Sequence, residues 1–210
     1  MTSLSRRACL TAALATLLVG CGGGSDESGR TGPASNGPRT DGSTPAPSRP
    51  SPNAAHALAR SVPVRLRIPA VEVDTPLMRL GLAADGSVQV PPITAHDQAG
   101  WYGHSPTPGQ VGPSVILGHA TVGAYGDGVF HDLARLRRGD RIEARLGNGT
   151  TAEFSVDTVR TVAKADFPTR AVYGDVNRPV LRLITCGGPR TGDGYRDNVI
   201  VFAELSSATP

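Results

Sequence analysis

A thiol and a guanidinium close to one another in the segment VLRLITCGGPRTGDGYRDNV, Cys186 and Arg196, raise the first chemical question in this chain. Cys186 ends an apolar, β-type run and is followed by two glycines, a setting that would present sulfur at the end of a strand beside open backbone N–H groups. A free thiol ionises only near pH 8.5, so a cysteine nucleophile needs a proton-handling partner, most often histidine. Five histidines are available: His56, His96, His104, His119 and His131. His56 lies in a low-complexity stretch, His96 in a loop after Pro92, and His131 in a short helical pattern where it could simply pack or cap. His119 follows SVILG, so like Cys186 it stands where a buried strand meets a glycine-bearing loop, and it is the first choice; His104, in WYGHSPTPG, is the second. Arg196 reads either as an ordinary surface arginine or as a planar donor fork for an oxyanion. Cys186 could equally be a buried core residue, since free cysteine is among the most buried types.

The N-terminus weighs on that choice. Met1 to Gly20 has a basic start at Arg6 and Arg7 and an apolar run from Leu10 to Val19, the pattern of an export signal rather than of a span of about 20 apolar residues. Leu18-Val19-Gly20-Cys21 resembles the lipobox of bacterial lipoproteins, which would make Cys21 the lipidated N-terminus of the mature chain; Ser5 to Leu10 also resembles a loose twin-arginine signal. The alternative is an uncleaved membrane anchor. Of three cysteines, Cys9 then leaves with the signal and Cys21 is lipidated, so Cys186 is alone in an oxidising compartment with no disulfide partner, which favours the reactive reading.

From Cys21 to Ser61 the chain is rich in Gly, Ser, Pro, Thr, Asn and Asp and has nothing to bury, as expected of a tether. Residues 62–210 are left to fold as one domain. Discounting Arg6 and Arg7, the 21 basic residues become 19 against 18 acidic ones, too balanced to argue for a nucleic-acid partner. No cluster of His, Cys or carboxylate has the spacing of a metal site.

Strand patterns dominate the domain. VRLRI (64–68) alternates, VEVDTPLMRLGL continues with breaks at Pro76 and Gly81, and ADGSVQVPP predicts a turn and a short strand. PSVILGHA (113–120) reads as a buried strand, RIEARLGNGTTAEFSV (141–156) as a hairpin about Asn148-Gly149, and VLRLIT and VIVFAEL as two more strands. Only GVFHDLARLRRGD (128–140) has helical spacing, for one or two turns. About eight short strands with many Gly and Pro breaks predict an all-β barrel or sandwich, and closure would remove exposed edges.

LITCGG, upstream ILGHA and downstream YRDNVIVFAEL together resemble the sortases, cysteine transpeptidases of Gram-positive cell surfaces with a TLxTC signature, a distant histidine and a following arginine. The likeness runs through RIPAVEVDTPLMRLGLAADGSVQVPP, AGWYGHSPTPGQVGPSVILGHA, VFHDLARLRRGDRIEA and DFPTRAVYGDVNRPVLRLITCGG, from 63 to 206, and is greatest for class F sortases of actinobacteria. The first Thr of the signature is absent here, where Arg182 precedes Leu183-Ile184-Thr185-Cys186, and the stretch from Cys186 to Arg196 is short.

The resemblance implies a closed eight-stranded sortase-type β-barrel with one or two short helices. It implies Cys186, His119 and Arg196 as catalytic residues, Thr185 as a substrate contact through its backbone or hydroxyl, and no cofactor. The expected partners are LPxTG-like sorting-signal peptides of surface proteins and a cell-wall precursor amine. The expected location is the outer face of the cytoplasmic membrane, through the lipid on Cys21. An L,D-transpeptidase also uses cysteine, histidine and arginine, but its cysteine sits in a block with a nearby histidine, which Cys186 lacks. The remaining alternatives are a lipid-anchored binding module that keeps the framework without activity, and a peptidase in which water replaces the amine.

Overall fold

The structure, a computed structural model, describes residues 57–192 and 194–210. The expected export signal (1–20), the lipidation site Cys21 and all but the last residues of the expected tether lie outside the described residues.

Eight strands close into one barrel: β1 Pro63–Ile68, β2 Val73–Leu80, β3 Ala99–Tyr102, β4 Gly112–Leu117, β5 Arg141–Leu146, β6 Thr151–Ala163, β7 Pro179–Thr191 and β8 Gly194–Thr209. Their order around the barrel is β1-β2-β3-β4-β7-β8-β6-β5, so the expected all-β barrel is the fold observed. Alternation explains the elements that the sequence announces. Leu66 and Ile68 of β1, Ile142 and Ala144 of β5, and Ala152 and Phe154 of β6 all point inward, with charged or polar neighbours between them. They join Trp101, Ile116, Leu181 and Leu183 in the barrel core.

β4 is buried along its whole length because both of its faces are covered. Ile116 faces the barrel, while Val115 and Leu117 face outward into a second cluster with Ile184, Ile200, Phe202 and Val172. Val172 belongs to the single α-helix among the described residues, α1 Thr169–Tyr173, in the crossover from β6 to β7. That crossover lets β7 run parallel to β4, in register from Gly112 opposite Pro179 to Leu117 opposite Ile184.

Three expectations at the level of elements change. The helical pattern of 128–140 delivers only a 3₁₀ turn, Leu133–Arg135, because Leu133 and Leu136 are drawn into the barrel end. Pro76 does not break β2: β1 pairs as far as Pro76 and β3 from Leu77 onward, so the imino nitrogen falls where the strand changes partners. The short strand in ADGSVQVPP reduces to one bridge between Leu82 and Val88, closed by an Asp85 side chain that accepts from the Ser87 N–H.

Candidate active site

β7 does not end at Cys186. It continues to Thr191 and folds back into β8, with a bulge between Gly187 and Arg190, so the stretch between Cys186 and Arg196 is a β-hairpin rather than a loop. Cys186 nonetheless stands at the rim, because its neighbour β4 stops at Leu117, level with Ile184. Alternation along β7 puts Leu183 in the barrel core and Ile184 in the outer cluster, so Cys186 shares the outer face and is half-buried.

One further parallel bond, Gly118 N–H to the Ile184 carbonyl at 3.1 Å, carries the β4 register beyond the strand. Followed one residue past the end of β4, that register brings His119 level with Cys186. On the other side Cys186 pairs with Asn198. Arg196, two residues from Asn198 along β8, alternates onto the same face, opposite the bulge of β7 between Gly187 and Arg190. The topology thus gathers His119, Cys186 and Arg196 at one end of one sheet face.

The backbone around His119 is tightly fixed. Its carbonyl accepts the Phe130 N–H at 2.9 Å, and Gly118 leaves room for the fully buried Phe130 ring, which a Cβ there would meet at 2.6 Å. Gly128 has its Cα against the His119 carbonyl, where any side chain would collide. The His119 ring contacts Pro91: Nε2–H donates to the Pro91 carbonyl at 2.6 Å.

The other histidines are elsewhere. His104 is exposed at the start of the β3–β4 connection, tilted against Tyr102, toward the barrel end from which β4 departs. His131 faces Asp127 and the Ala120 carbonyl, and His96 stacks on Tyr125; His56 lies outside the described residues.

Thr185, expected to lend the substrate a hydroxyl or main-chain contact, turns its side chain the other way. It is 4% exposed, alternates with Cys186, and its Oγ1 is buried without a hydrogen-bond partner. The Thr185 hydroxyl therefore points away from the face that bears Cys186.

Beside the outer cluster lies a groove of about 570 Å³, lined mainly by apolar and aromatic residues such as Val88, Pro106, Val115, Phe167 and Tyr173, and also by His104 and Asp175. Val115 is next to Leu117 on this face, and Leu117 next to the rim, so groove and rim share one surface. Burial, with some help from Tyr102, raises the Tyr173 phenol above its ordinary value, so this ring stays neutral well above neutral pH. Arg182, the residue that departs from the TLxTC pattern, braces α1: Nε–H donates to the Ala171 carbonyl at 3.3 Å and the guanidinium stacks on Phe202 at 4.6 Å. Neither the groove nor this brace is signalled in the sequence, since their residues come from five separate elements.

The sequence matches the sortase domain family over residues 66–206. The chain belongs to the sortase family. No curated protein matches this sortase significantly in sequence. Among solved structures it is similar to sortase A from Corynebacterium diphtheriae, at 22% identity and a TM-score of 0.52, over 70% of this chain and 61% of that one. SrtA sortase from Actinomyces oris is similar at 22% identity and 0.54, over 76% and 87%. Sortase C-1 from the same species matches at 22% and 0.52, over 70% and 75%. At such identity the likeness is one of fold, and the chain spans under two thirds of the length of the Corynebacterium sortase.

Proposed function

We propose that this sortase is a cysteine transpeptidase acting on sorting-signal peptides similar to LPxTG. What supports the reading is the place of Cys186 on the outer face of β7, between the β4 end that leads into His119 and the β8 segment that holds Arg196, on the surface that also bears a mainly apolar groove. The Cys186 thiolate attacks the carbonyl carbon of the Thr–Gly bond, and His119 gives a proton to the departing glycine amine. Arg196 donates to the oxyanion. The thioacyl enzyme is then resolved by a cell-wall precursor amine, whose proton returns to His119. The apolar residues of the signal lie in the groove. The resemblance is greatest for class F sortases, and the chain's own N-terminus supports an export signal and lipidation of Cys21 at the outer face of the cytoplasmic membrane.

Incubating the protein with an LPxTG peptide and triglycine tests the chemistry. A thioacyl adduct in the mass spectrum, absent from Cys186→Ala, is expected; no adduct across varied motifs and pH would refute the enzyme and favour a binding module. His119→Ala is expected to abolish thioacyl formation, whereas His104→Ala, on the wall of the groove, is expected to change KM more than kcat, and the reverse would reassign the base. For the anchor, Cys21→Ser is expected to leave the membrane fraction; retention there would overturn lipidation.

A further inference from the structure

We propose that the main-chain carbonyl of Pro91 positions His119: it accepts from Nε2–H, holds that tautomer, and leaves Nδ1 as the nitrogen that exchanges protons with Cys186 and the substrate amine. The proposal rests on His119 being the acid–base group of the reaction above.

A neutral imidazole carries one N–H, and a carbonyl can only accept. The 2.6 Å contact therefore places that hydrogen on Nε2 and the lone pair on Nδ1. When Nδ1 takes up a proton, Nε2–H still donates to the same oxygen, so one contact serves both protonation states. In cysteine and serine enzymes generally, a third group orients the histidine by accepting from the nitrogen remote from the nucleophile. Here that acceptor is uncharged backbone. The only histidine–carboxylate pair found among the described residues is His131 with Asp127.

The local sequence makes this oxygen a fixed one. Pro91 precedes Pro92, and a residue before proline is confined to extended backbone while its own ring fixes φ, so the direction of the Pro91 carbonyl is set within the chain. Pro92 has no N–H with which to compete. Pro91 is buried although Gln89, Val90, Pro92, Ile93 and Thr94 around it are exposed, so this one residue is pressed onto the rim. The connection is pinned on both sides. Gln89 exchanges two hydrogen bonds with the Gly81 backbone, at 2.9 and 3.0 Å, and Thr75 Oγ1 donates to the Asp97 carbonyl at 2.7 Å. Farther along, His96 stacks on Tyr125, whose turn follows His119 in the chain, with ring centroids 4.5 Å apart. A strap from β2 to β3 thus crosses the histidine's own loop and sets one carbonyl against its ring.

The test is NMR of the full chain in detergent with ¹⁵N-labelled histidine, the His119 signals being those lost in His119→Gln. A slowly exchanging imidazole proton on Nε2 of His119 is expected in the wild type at neutral pH. Pro92→Gly, which leaves the Pro91 ring in place but frees its carbonyl, and Pro91→Gly are expected to lose that protected signal. In both, kcat should fall about tenfold with KM within twofold, far less than the roughly 10⁴-fold loss from a triad carboxylate, because the carbonyl carries no charge. Should either variant fail to fold, the wild-type spectrum still decides. A wild-type ring proton on Nδ1, an unprotected Nε2–H, or a protected signal that survives in folded variants overturns the proposal. The spectrum is read without turnover, so a protein that shows the protected proton but forms no thioacyl adduct would refute the transpeptidase and not the clamp.

Discussion

Arg196 and Thr185 flank the thiol in opposite senses. Arg196 is exposed, on the face of Cys186, and makes none of the side-chain hydrogen bonds or ion pairs found among the described residues, so its fork is free to meet a substrate oxygen. Arg196→Lys keeps the charge but loses the planar donor pair. It is expected to lower kcat on the order of 100-fold, the usual cost of losing one oxyanion donor, with little change in KM. Wild-type rates in that variant would make the arginine merely a surface residue. Thr185 carries a buried hydroxyl with no partner, a group whose desolvation is uncompensated. Thr185→Val keeps the shape and removes that oxygen, so thermal unfolding should show the variant unchanged or more stable by about 1 kcal/mol, with turnover retained. A loss of turnover with intact stability would show that the hydroxyl serves the reaction despite facing the barrel.

At the scale of elements, what matters is how β4 ends. Gly118 continues the parallel ladder for one bond and then gives way to Phe130, so the position of His119 depends on a glycine that carries no chemistry. Gly118→Ala would push a methyl into a ring with 0% exposure and should cost about 1–3 kcal/mol by overpacking. Turnover should drop well beyond what the fraction of unfolded protein explains, because the displaced backbone is the one bearing His119. The alternating strands β1, β5 and β6 could be read from the sequence because one face is apolar and the other charged. β3 could not: in Ala-Gly-Trp-Tyr three of four residues are buried, so no alternation marks it. The five-residue α1 is too short to show a period, and GGPRTGDG looks like a loop although pairing with β8 extends it into a hairpin. Cys186, His119 and Arg196 stand out in the sequence because each lies in a distinctive local string. The oxygen of Pro91 was not, since a backbone carbonyl leaves no trace in residue type.

Taken as a whole, the barrel has one end that bears His119 and Cys186 and another at which the chain enters. β1 runs parallel to β4 and β7, because it is antiparallel to β2, which is parallel to β3, which is antiparallel to β4. The chain therefore enters β1 at the end opposite His119 and Cys186. The last residues before it already lie against that end. Leu58 N–H donates to the Gly109 carbonyl at 2.8 Å, the Leu58 side chain covers Gly109 and joins the core, and Arg60 lies over Trp101. Ser61 N–H adds a bond to Thr107 Oγ1 at 3.3 Å, so residues 57–61 seal the barrel bottom rather than merely lead to it. Gly109, with φ of +93° and Leu58 packed on its Cα, accepts no side chain without losing this seal. Leu58→Ala removes a half-buried side chain and should cost about 1–2 kcal/mol, toward the low end for a leucine because it is not fully enclosed. Since the seal and the rim are at opposite ends, thioacyl formation measured well below the melting temperature should be the same as in the wild type. A variant that loses rate without losing stability would mean that the entry segment reaches the rim that bears His119 and Cys186, contrary to the direction in which β1, β4 and β7 run.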